Sequence, residues 1–369
     1  MSKTNIHISE FTKCNDFYED VNLLVTVKSF DLKAIRARYL KSKENKSKRT
    51  GSIERRAVTI GGIAKIKISK GSIIEENILN KLPEPRGIDG LNDIIALSSE
   101  NKVFIIREGE IYLITNPWFS YIYTTKIYQN IPHRILISSS GFDCIFEYDY
   151  IKNEKTFEWF SWENGFNKGV DPETAEDLFL TRKPKEAEEF TEKGIHHLLI
   201  DDPESQVLPT SKRAAFINSV TYNTNTPNSI LATFFHEGSV YEIDMKTSKA
   251  TKVLGDLLNP HGGLTFGNEF MATSTKSGEL VIGNIENQIR YNFNNLEGKD
   301  EVLGDFEWIQ NSIYLNENII SIDSNRNSFV IFNPEKKLYD IINFNDNWAV
   351  QDIINIDENP NIEIISNLK

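Results

Sequence analysis

The sequence predicts an all-β protein built as a six-bladed β-propeller, and three observations carry this prediction. A pattern of three short strands joined by tight polar turns recurs along the chain, and a further short strand precedes each copy. Strand-like segments without such a preceding strand lie near the N-terminus, and an unaccompanied strand lies near the C-terminus. Four-stranded units that repeat about every forty residues are typical of propeller blades.

The three-strand pattern is clearest in residues 135–159 and 230–254. Each copy reads as an apolar strand, a polar turn, an alternating strand that ends in Asp, a turn containing Lys, and a third strand. Alternation of period 2 between short polar turns predicts antiparallel hairpins. Weaker copies of the pattern are residues 94–114, 270–293 and 319–344.

Six segments flank these copies and predict the innermost strand of each blade. They are residues 85–93, 118–128, 214–223, 260–268, 306–315 and 348–357. The N-terminal segments 22–30, 61–69 and 71–79 supply outer strands for the last of them. We therefore expect one blade to be shared between the two ends of the chain, which closes the ring without exposed sheet edges between blades. The whole chain, 1–369, is predicted to be a single domain.

Two insertions interrupt the repeat. Residues 31–58 form a basic loop, and this pattern is typical of a solvated segment; the alternative is a surface that binds phosphate groups, or a partner protein through residues 36–56. In the second insertion, 160–213, Asp171 and Pro172 predict the N-cap and first residue of a helix, so we expect a partly helical cap over one face of the ring. The basic residues of the first insertion include Arg36, Arg38, Lys41, Lys43, Lys46, Lys48, Arg49, Arg55 and Arg56.

Composition limits the classes of partner and the cellular location. The formal net charge of −12 disfavours nucleic acid and anionic membranes as general partners. Cys14 and Cys144 lie outside any metal-binding spacing, and Cys144 is expected to be a buried structural thiol. The absence of a signal sequence or long apolar run, with Asn-, Ile- and Lys-rich usage, predicts a cytoplasmic bacterial protein.

The channel mouth is the predicted functional site, because common nucleotide-binding, metalloprotease and serine-hydrolase motifs are absent. Residues near the starts of the inner strands should converge there. His261 is expected to act as a general base or metal ligand, Asn218 to orient a substrate or ion, and Arg86 to bind an anion. The alternatives are a His261 that hydrogen-bonds to a neighbouring blade and an Arg86 that pairs with Asp89 or Asp352.

A divalent cation, with calcium the best suited, is the second expectation for this mouth. Amide and carboxylate oxygens are the ligands that calcium prefers, and Asn218, Glu307 and Asp352 supply them. The alternative is that these carboxylates are ordinary polar groups of the channel. Five further side chains are expected to line the substrate pocket: Tyr121, His236, Trp308, Gln310 and Gln351.

Two inner segments and the strands between them resemble a known group of propellers. FINSVTYN (216–223), ATFFHEGSVYEID (232–244) and NPHGGLTF (259–266) are similar to the six-bladed propellers of the strictosidine synthase, gluconolactonase and arylesterase group, to arylsulfotransferase-like propellers and to uncharacterised bacterial propellers. In the gluconolactonase group, inner-strand Glu, Asn and Asp hold a divalent ion, usually calcium. Asn218 matches that Asn by its place in the motif, whereas Glu307 and Asp352 match by residue type and approximate place. The group's Glu in the first inner strand is replaced here by Arg86.

These observations predict a small-molecule enzyme of hydrolase or lyase type, with its site at the capped mouth and assistance from a divalent metal. Two other hypotheses stay open. One is a non-catalytic scaffold that binds a partner protein through residues 36–56. The other is an accessory protein whose pocket binds a small ligand without transforming it.

Overall fold

A computed structural model describes residues 2–42, 46–47, 49–55, 57–356 and 359–369. The first strands are β1 Ser2–His7, β2 Thr12–Lys13, β3 Val21–Val27, β4 Ile60–Ser69, β5 Ser72–Pro83, β6 Pro85–Leu91, β7 Ile94–Ser99, β8 Lys102–Arg107, β9 Glu110–Thr115, β10 Ile122–Ile127, β11 Arg134–Ser139, β12 Cys144–Asp149, β13 Glu154–Phe160, β14 Lys168–Val170, β15 Asp177–Thr181 and β16 His197–Leu199. The later strands are β17 Ile217–Tyr222, β18 Ser229–Phe234, β19 Ser239–Asp244, β20 Ala250–Leu254, β21 Pro260–Phe266, β22 Glu269–Ser274, β23 Glu279–Gly283, β24 Asn287–Asn292, β25 Ile309–Leu315, β26 Asn318–Asp323, β27 Ser328–Asn333, β28 Leu338–Asn343 and β29 Val350–Asn355. The α-helices are α1 Leu32–Ser42 and α2 Pro184–Glu192.

The strands pair into antiparallel four-stranded sheets, as the repeated hairpin pattern predicts. β1 and β2 add parallel fifth strands to the outer edges of β24 and β28, and β14, β15 and β16 form a small separate sheet. The four-stranded sheets of the described chain run in the orders β29-β3-β4-β5, β6-β7-β8-β9, β10-β11-β12-β13, β17-β18-β19-β20, β21-β22-β23-β24 and β25-β26-β27-β28.

Every predicted inner segment contains an observed first strand of one of these sheets. The C-terminal strand β29 pairs antiparallel with the N-terminal strand β3, with Val350 opposite Val27 and Asn355 opposite Leu23. Radially arranged sheets whose inner strands contact one another are the architecture of a β-propeller. The inner strands touch in the order β6, β10, β17, β21, β25, β29 and again β6.

The core lies between the faces of neighbouring sheets. Val25 and Ile66 of one sheet, for example, belong to the same buried cluster as Ile322, Phe329 and Ile331 of the next. Ile and Val dominate these strands because β-branched side chains pack well on a pleated surface. Removal of this apolar area from water supplies the main driving force that holds each blade against its neighbour.

The first strand of each four-stranded sheet in the described chain carries an irregularity near its start. The pairing of each with the second strand shifts register between Pro85 and Ile88, Ile122 and Thr124, Ile217 and Ser219, His261 and Leu264, Ile309 and Ser312, and Val350 and Asp352. A bulge adds unpaired residues and re-aims their side chains. In three sheets a hydroxyl of the second strand accepts a bond from a backbone N–H at the bulge of the same sheet, at 2.8–3.1 Å: Thr26, Ser98 and Ser138. The Thr233 hydroxyl instead accepts from Gly263 N, in the bulge of the next sheet, at 2.9 Å.

The expectation of a solvated loop is wrong for the helix α1, which has a buried face, whereas Lys33, Lys41, Lys46 and Arg55 are exposed. Leu32 and Ile35 on α1 pack in a buried cluster with Phe306 and Trp308. These two apolar residues are three positions apart, which gives a short helix one buried face. The charged residues around them make this apolar pattern hard to recognise in the sequence. Arg36 also donates to the carbonyl oxygen of Asn325 at 3.1 Å. Three of the predicted basic residues, Lys43, Lys48 and Arg56, lie outside the described residues.

The helix start predicted at Asp171 and Pro172 is also wrong. The Asp171 carboxylate accepts a bond from the backbone N–H of Glu173 at 2.8 Å, so this segment is a capped turn. The helix of this insertion, α2, begins instead at Pro184. Leu178 and Leu180 of the insertion pack in one cluster with core residues of the β10–β13 sheet.

Cys144 is fully buried, as predicted, and burial raises the pKa of its thiol well above the ordinary value. Such a thiol is packed rather than reactive. Cys14 is half-buried, and neither cysteine forms a disulfide. No helix in the described ranges is long and apolar enough to span a bilayer.

Candidate functional site

A cavity of about 110 Å³ lies where the inner strands begin. Residues from the starts of β6, β21 and β25 line it together with parts of both insertions. No Asp or Glu is among the residues that the described chain contributes to this wall. The wall includes the cations Lys28, Arg38 and Arg86, the rings of Tyr123, Phe216, Phe235, His261 and Trp308, and the polar side chains of Thr275 and Gln310.

The first insertion covers this mouth. Ile35 and Arg38 of α1, with Thr50, Gly51 and Ser52 of the segment that follows, form part of the cavity wall. Backbone carbonyls hold this segment in place, since Arg49 donates to Arg213 O at 3.0 Å and to Ala214 O at 2.8 Å. The Thr50 hydroxyl donates to the Asn259 side chain at 2.9 Å. Of the second insertion, Thr210 also reaches the cavity wall.

Arg86 lies in the bulge of β6 and is only 1% exposed. Its Nη2 donates to the buried Glu84 carboxylate at 2.8 Å, and its guanidinium stacks 4.5 Å from the Tyr123 ring centre. The predicted alternative named Asp89 or Asp352 as the ion-pair partner, and this is wrong because Glu84, two residues away, occupies that position. Nε and Nη1 of Arg86 are buried without a hydrogen-bond partner in the described chain.

Tyr121 lies between two buried guanidinium groups. Its ring centre is 5.7 Å from Cζ of Arg86 and 4.7 Å from Cζ of Arg213. Arg213 donates to the Leu208 carbonyl at 3.2 Å and is 1% exposed. The π-face of Tyr121 therefore stabilises both cations close to the mouth. This predicted pocket residue thus lies beside Arg86 and is not among the described residues of the cavity wall.

Gln310 and Gln351 form a hydrogen-bonded pair across the channel. Nε2 of Gln351 donates to Oε1 of Gln310 at 3.1 Å, and Nζ of Lys28 donates to Oε1 of Gln351 at 2.9 Å. Lys28 also lies 5.1 Å from the ring centre of Trp308. Three predicted pocket residues are thus brought together around a lysine.

His261 contributes a neutral imidazole to the cavity. Its Nδ1 lies 2.8 Å from Oγ1 of Thr275, and Thr275 donates its single hydroxyl proton to the Ile309 carbonyl at 2.7 Å. Nδ1 must therefore be the protonated nitrogen, which leaves Nε2 with a lone pair. Burial, followed by the charge of Lys28, lowers the pKa of His261 to about 3, against the opposing effect of the Asn259 carbonyl.

This low pKa predicts a loss of stability in mild acid. The unfolded chain takes up a proton below the ordinary pKa of 6.5, whereas the folded imidazole resists it down to about 3. The contribution of the neutral His261 to the free energy of unfolding is thus fully present above the unfolded pKa, and it is lost as the pH falls below that value. Between pH 7 and pH 5 the wild type should lose about 2 kcal/mol more unfolding free energy than His261→Asn.

Urea titrations of both proteins at the two pH values measure this difference. His236 is common to both proteins, so its titration cancels in the comparison. Equal acid losses in the two proteins would contradict the assignment of a neutral buried His261.

Six predicted site residues are not among the described residues of the cavity wall: Tyr121, Gln351, Glu307, Asn218, His236 and Asp352. Asn218, in the bulge of β17, donates to the Pro260 carbonyl at 2.7 Å and so touches the backbone beside His261. His236 lies close to Thr210 O, at 3.0 Å from Nε2; burial and the nearby Arg49 hold its pKa well below the usual range. Asp352 lies deeper in the channel, where Nδ2 of Asn311 donates to it at 2.9 Å.

The predicted calcium ligands do not fit a metal ion. Glu307 is buried against two cations, at 3.0 Å from Nη1 of Arg326 and 2.5 Å from Nζ of Lys299. Asp352 accepts from Nδ2 of Asn311. Nδ2 of Asn218 donates to the Pro260 carbonyl, and Oδ1 of Asn218 is buried without a partner among the described residues, so it is the one free oxygen of the predicted set. Within the described ranges, no group of three His, Cys, Asp or Glu side chains is arranged to hold a metal. Carboxylates already neutralised by cations are poor calcium ligands.

Known proteins resemble this chain in fold. No family model and no curated protein matches the sequence. A chain of the nidogen/laminin complex is 7% identical and covers 90% of this chain and 97% of its own length, with a TM-score of 0.52. A protein of unknown function from Bacteroides caccae is 14% identical and covers 92% of this chain and 100% of its own, also with a TM-score of 0.52.

A third structure, catalytically inactive virginiamycin B lyase from Staphylococcus aureus with quinupristin, is more distant. It is 12% identical, covers 75% of this chain and 82% of its own, and has a TM-score of 0.42. Identities this low carry no information on function, and none of the three is a strictosidine synthase or gluconolactonase by name. The sheet arrangement and the first two neighbours together confirm that the chain is a β-propeller.

Proposed function

We propose that this propeller binds a small organic anion at its capped mouth, and that the anion is a planar aromatic carboxylate. The observation that carries the proposal is the wall of the 110 Å³ cavity, to which the described residues contribute three cationic side chains and no carboxylate. Cations gathered in a water-poor cavity repel one another, and a bound anion relieves that repulsion.

The architecture that we propose around this site is a six-bladed ring closed by the pairing of β29 with β3. The cyclic order of contacts between the inner strands supports this proposal. In such a ring the six bulges lie around one axis. The side chains that they re-aim, among them Arg86, Gln310 and Gln351, would then converge on the mouth although they are far apart in sequence.

Arg86 is the central anion-binding residue in this proposal. Glu84 and Tyr123 hold its guanidinium in one position, and two of its nitrogens have no partner in the described chain. A buried donor without an acceptor costs about 1–3 kcal/mol. A ligand carboxylate that accepts from Arg86 recovers this free energy, and Lys28 and Arg38 add favourable charge.

The aromatic residues of the wall argue for a planar ring on the ligand. Phe216, Phe235 and Trp308 line the cavity together with His261. Rings pack edge to face against such walls, and their apolar surface offsets the cost of removing the anion from water. A phosphate ion would use the cations and leave these rings without a contact.

Calorimetric titration with benzoate, benzamide and inorganic phosphate tests the proposal. Benzoate should bind about tenfold or more tightly than benzamide, because only the charged group pairs with Arg86. Phosphate should bind more weakly than benzoate, since it makes no contact with the rings. Equal binding of benzoate and benzamide, or no binding of either, would contradict the proposal.

A hydrolase or lyase reaction is the second candidate, and the lone pair on Nε2 of His261 favours it. His261 would accept a proton from the ligand in an elimination, or from water in a hydrolysis. A bound anion opposes the charge of Lys28 and so raises the basicity of this imidazole. The variant His261→Asn separates an enzyme from a binding protein. If it still binds benzoate but no longer converts a ligand that the wild type converts, the result would support an enzyme.

The partner surface predicted in residues 36–56 stays a hypothesis with less support. Arg36 and Arg49, two of its cations, are bonded to carbonyl oxygens of their own chain. They hold the insertion over the mouth, which supports a lid rather than a docking site.

A further inference from the structure

A second and larger cavity, of about 450 Å³, opens where the inner strands end. It lies at the other end of β10, β17, β21 and β25 from the capped mouth, and different residues line it. The lining residues include Asp89, Lys126, Tyr128, Ser219, Tyr222, Leu264, Asn311, Ile313 and Asp352.

Two buried polar groups in this wall have no partner in the part of the chain that the structure describes. They are Oδ1 of Asn311, a residue 8% exposed, and Oγ of Ser219, a residue 3% exposed. The amide of Asn311 has a fixed orientation, because its Nδ2 donates to the Asp352 carboxylate, which only accepts. Oδ1 is therefore an acceptor without a donor. Buried groups of this kind normally have a partner, and both line a cavity.

The charged groups of the cavity satisfy one another. Lys126 lies 3.3 Å from Asp89; burial lowers the pKa of Lys126, but the charges of Asp89 and Asp352 outweigh this and raise it. The Asp352 oxygens accept from Asn311 and from the backbone N–H groups of Ile88 and Ile353. Among the described lining residues, these bonds leave no free cation for an anion and no free carboxylate for a metal ion. The cavity is thus suited to an uncharged ligand.

The remaining wall offers flat apolar surface. Tyr128 and Tyr222 stack with ring centres 4.2 Å apart and an interplanar angle of 16°. Leu264 and Ile313 also line the cavity. Aromatic faces beside hydrogen-bonding groups suit the C–H faces and hydroxyl groups of a sugar ring.

We propose that this cavity is a second binding site, for an uncharged polyhydroxylated molecule of monosaccharide to disaccharide size. The hydroxyl groups of such a ligand donate to Oδ1 of Asn311 and bond with Oγ of Ser219. The site is independent of the anion site at the capped mouth, because the two cavities share none of their lining residues.

Saturation-transfer NMR with glucose and maltose tests this second site. At least one sugar should give a saturable signal with the wild-type protein. Ser219→Ala should fold normally, because the hydroxyl makes no bond to the described chain, yet weaken sugar binding about fivefold to tenfold. Ser366→Ala is the matched control: this exposed serine lies in neither cavity wall, and its loss should leave sugar binding unchanged.

The outcomes separate this proposal from the anion site. Benzoate binding should be the same in Ser219→Ala as in the wild type, whatever the sugars do. Absence of a saturable signal for both sugars would overturn the proposal, and so would sugar binding that Ser219→Ala leaves unchanged.

Discussion

Arg86→Met should abolish benzoate binding and lower the free energy of unfolding by about 3–5 kcal/mol. Arg86 and Glu84 are 1% and 2% exposed and lie 2.8 Å apart. Removal of the cation takes a charged partner from the buried Glu84 carboxylate, which is more costly than the loss of a surface ion pair. Calorimetry measures the binding, and urea titration measures the stability.

The double variant Glu84→Gln with Arg86→Met separates stability from binding. It removes both charges, so most of the lost unfolding free energy should return. Benzoate binding should stay absent, because the guanidinium is still missing. A double variant that binds benzoate, or a single variant as stable as the wild type, would contradict the role assigned to Arg86.

Arg326→Met is expected to lower the free energy of unfolding by a similar amount, about 3–5 kcal/mol, without an effect on benzoate binding. Arg326 is fully buried, 2.7 Å from Asp323 and 3.0 Å from Glu307. Burial lowers its pKa, but the two carboxylates outweigh burial and raise it. The variant leaves Asp323 without its cation in the interior.

Lys336→Met is the matched control for Arg326→Met. Lys336 pairs with Glu317 at 3.3 Å, and both side chains are more than half exposed, so its loss should cost less than about 1 kcal/mol. Urea titration of both variants measures the contrast. An Arg326→Met protein that loses no more than the control would show that Glu307 and Asp323 do not depend on this arginine.

The strands could be predicted from sequence because their signal is local. Alternating Ile and Val between polar turns marks each hairpin, and every predicted inner segment contains an observed strand. The helix in the first insertion could not be predicted as easily, since only Leu32 and Ile35 of its sequence pack on the core and the surrounding charges dominate the pattern. Tertiary contacts with Phe306 and Trp308 decide its structure.

The candidate site was predicted in part. Arg86, His261, Trp308 and Gln310 line one cavity as expected, because position at the start of an inner strand is visible in the repeat. Asn218 and Asp352 lie off its wall. The bulges in their strands shift the pairing register by a residue or two, and the alternation of apolar and polar residues in the sequence does not reveal where a bulge occurs.

Sequence reasoning missed Lys28 and the ion-pair role of Glu84. A signal for Lys28 exists in the repeat. The second strand of each four-stranded sheet carries a Ser or Thr near its end. In three of these sheets, the residue two positions after that Ser or Thr lines the cavity at the mouth. These pairs are Thr26 with Lys28, Thr233 with Phe235, and Thr273 with Thr275. Aligning the copies on this hydroxyl would have placed Lys28 in the site.

A crystal structure with 4-iodobenzoate tests most directly the central claim, that the capped mouth binds an aromatic carboxylate. We expect an anomalous iodine signal inside the cavity between Arg86 and His261, with the carboxylate within hydrogen-bonding distance of the Arg86 guanidinium. A ligand bound only elsewhere on the molecule, or a mouth that stays empty at saturating 4-iodobenzoate, would contradict it.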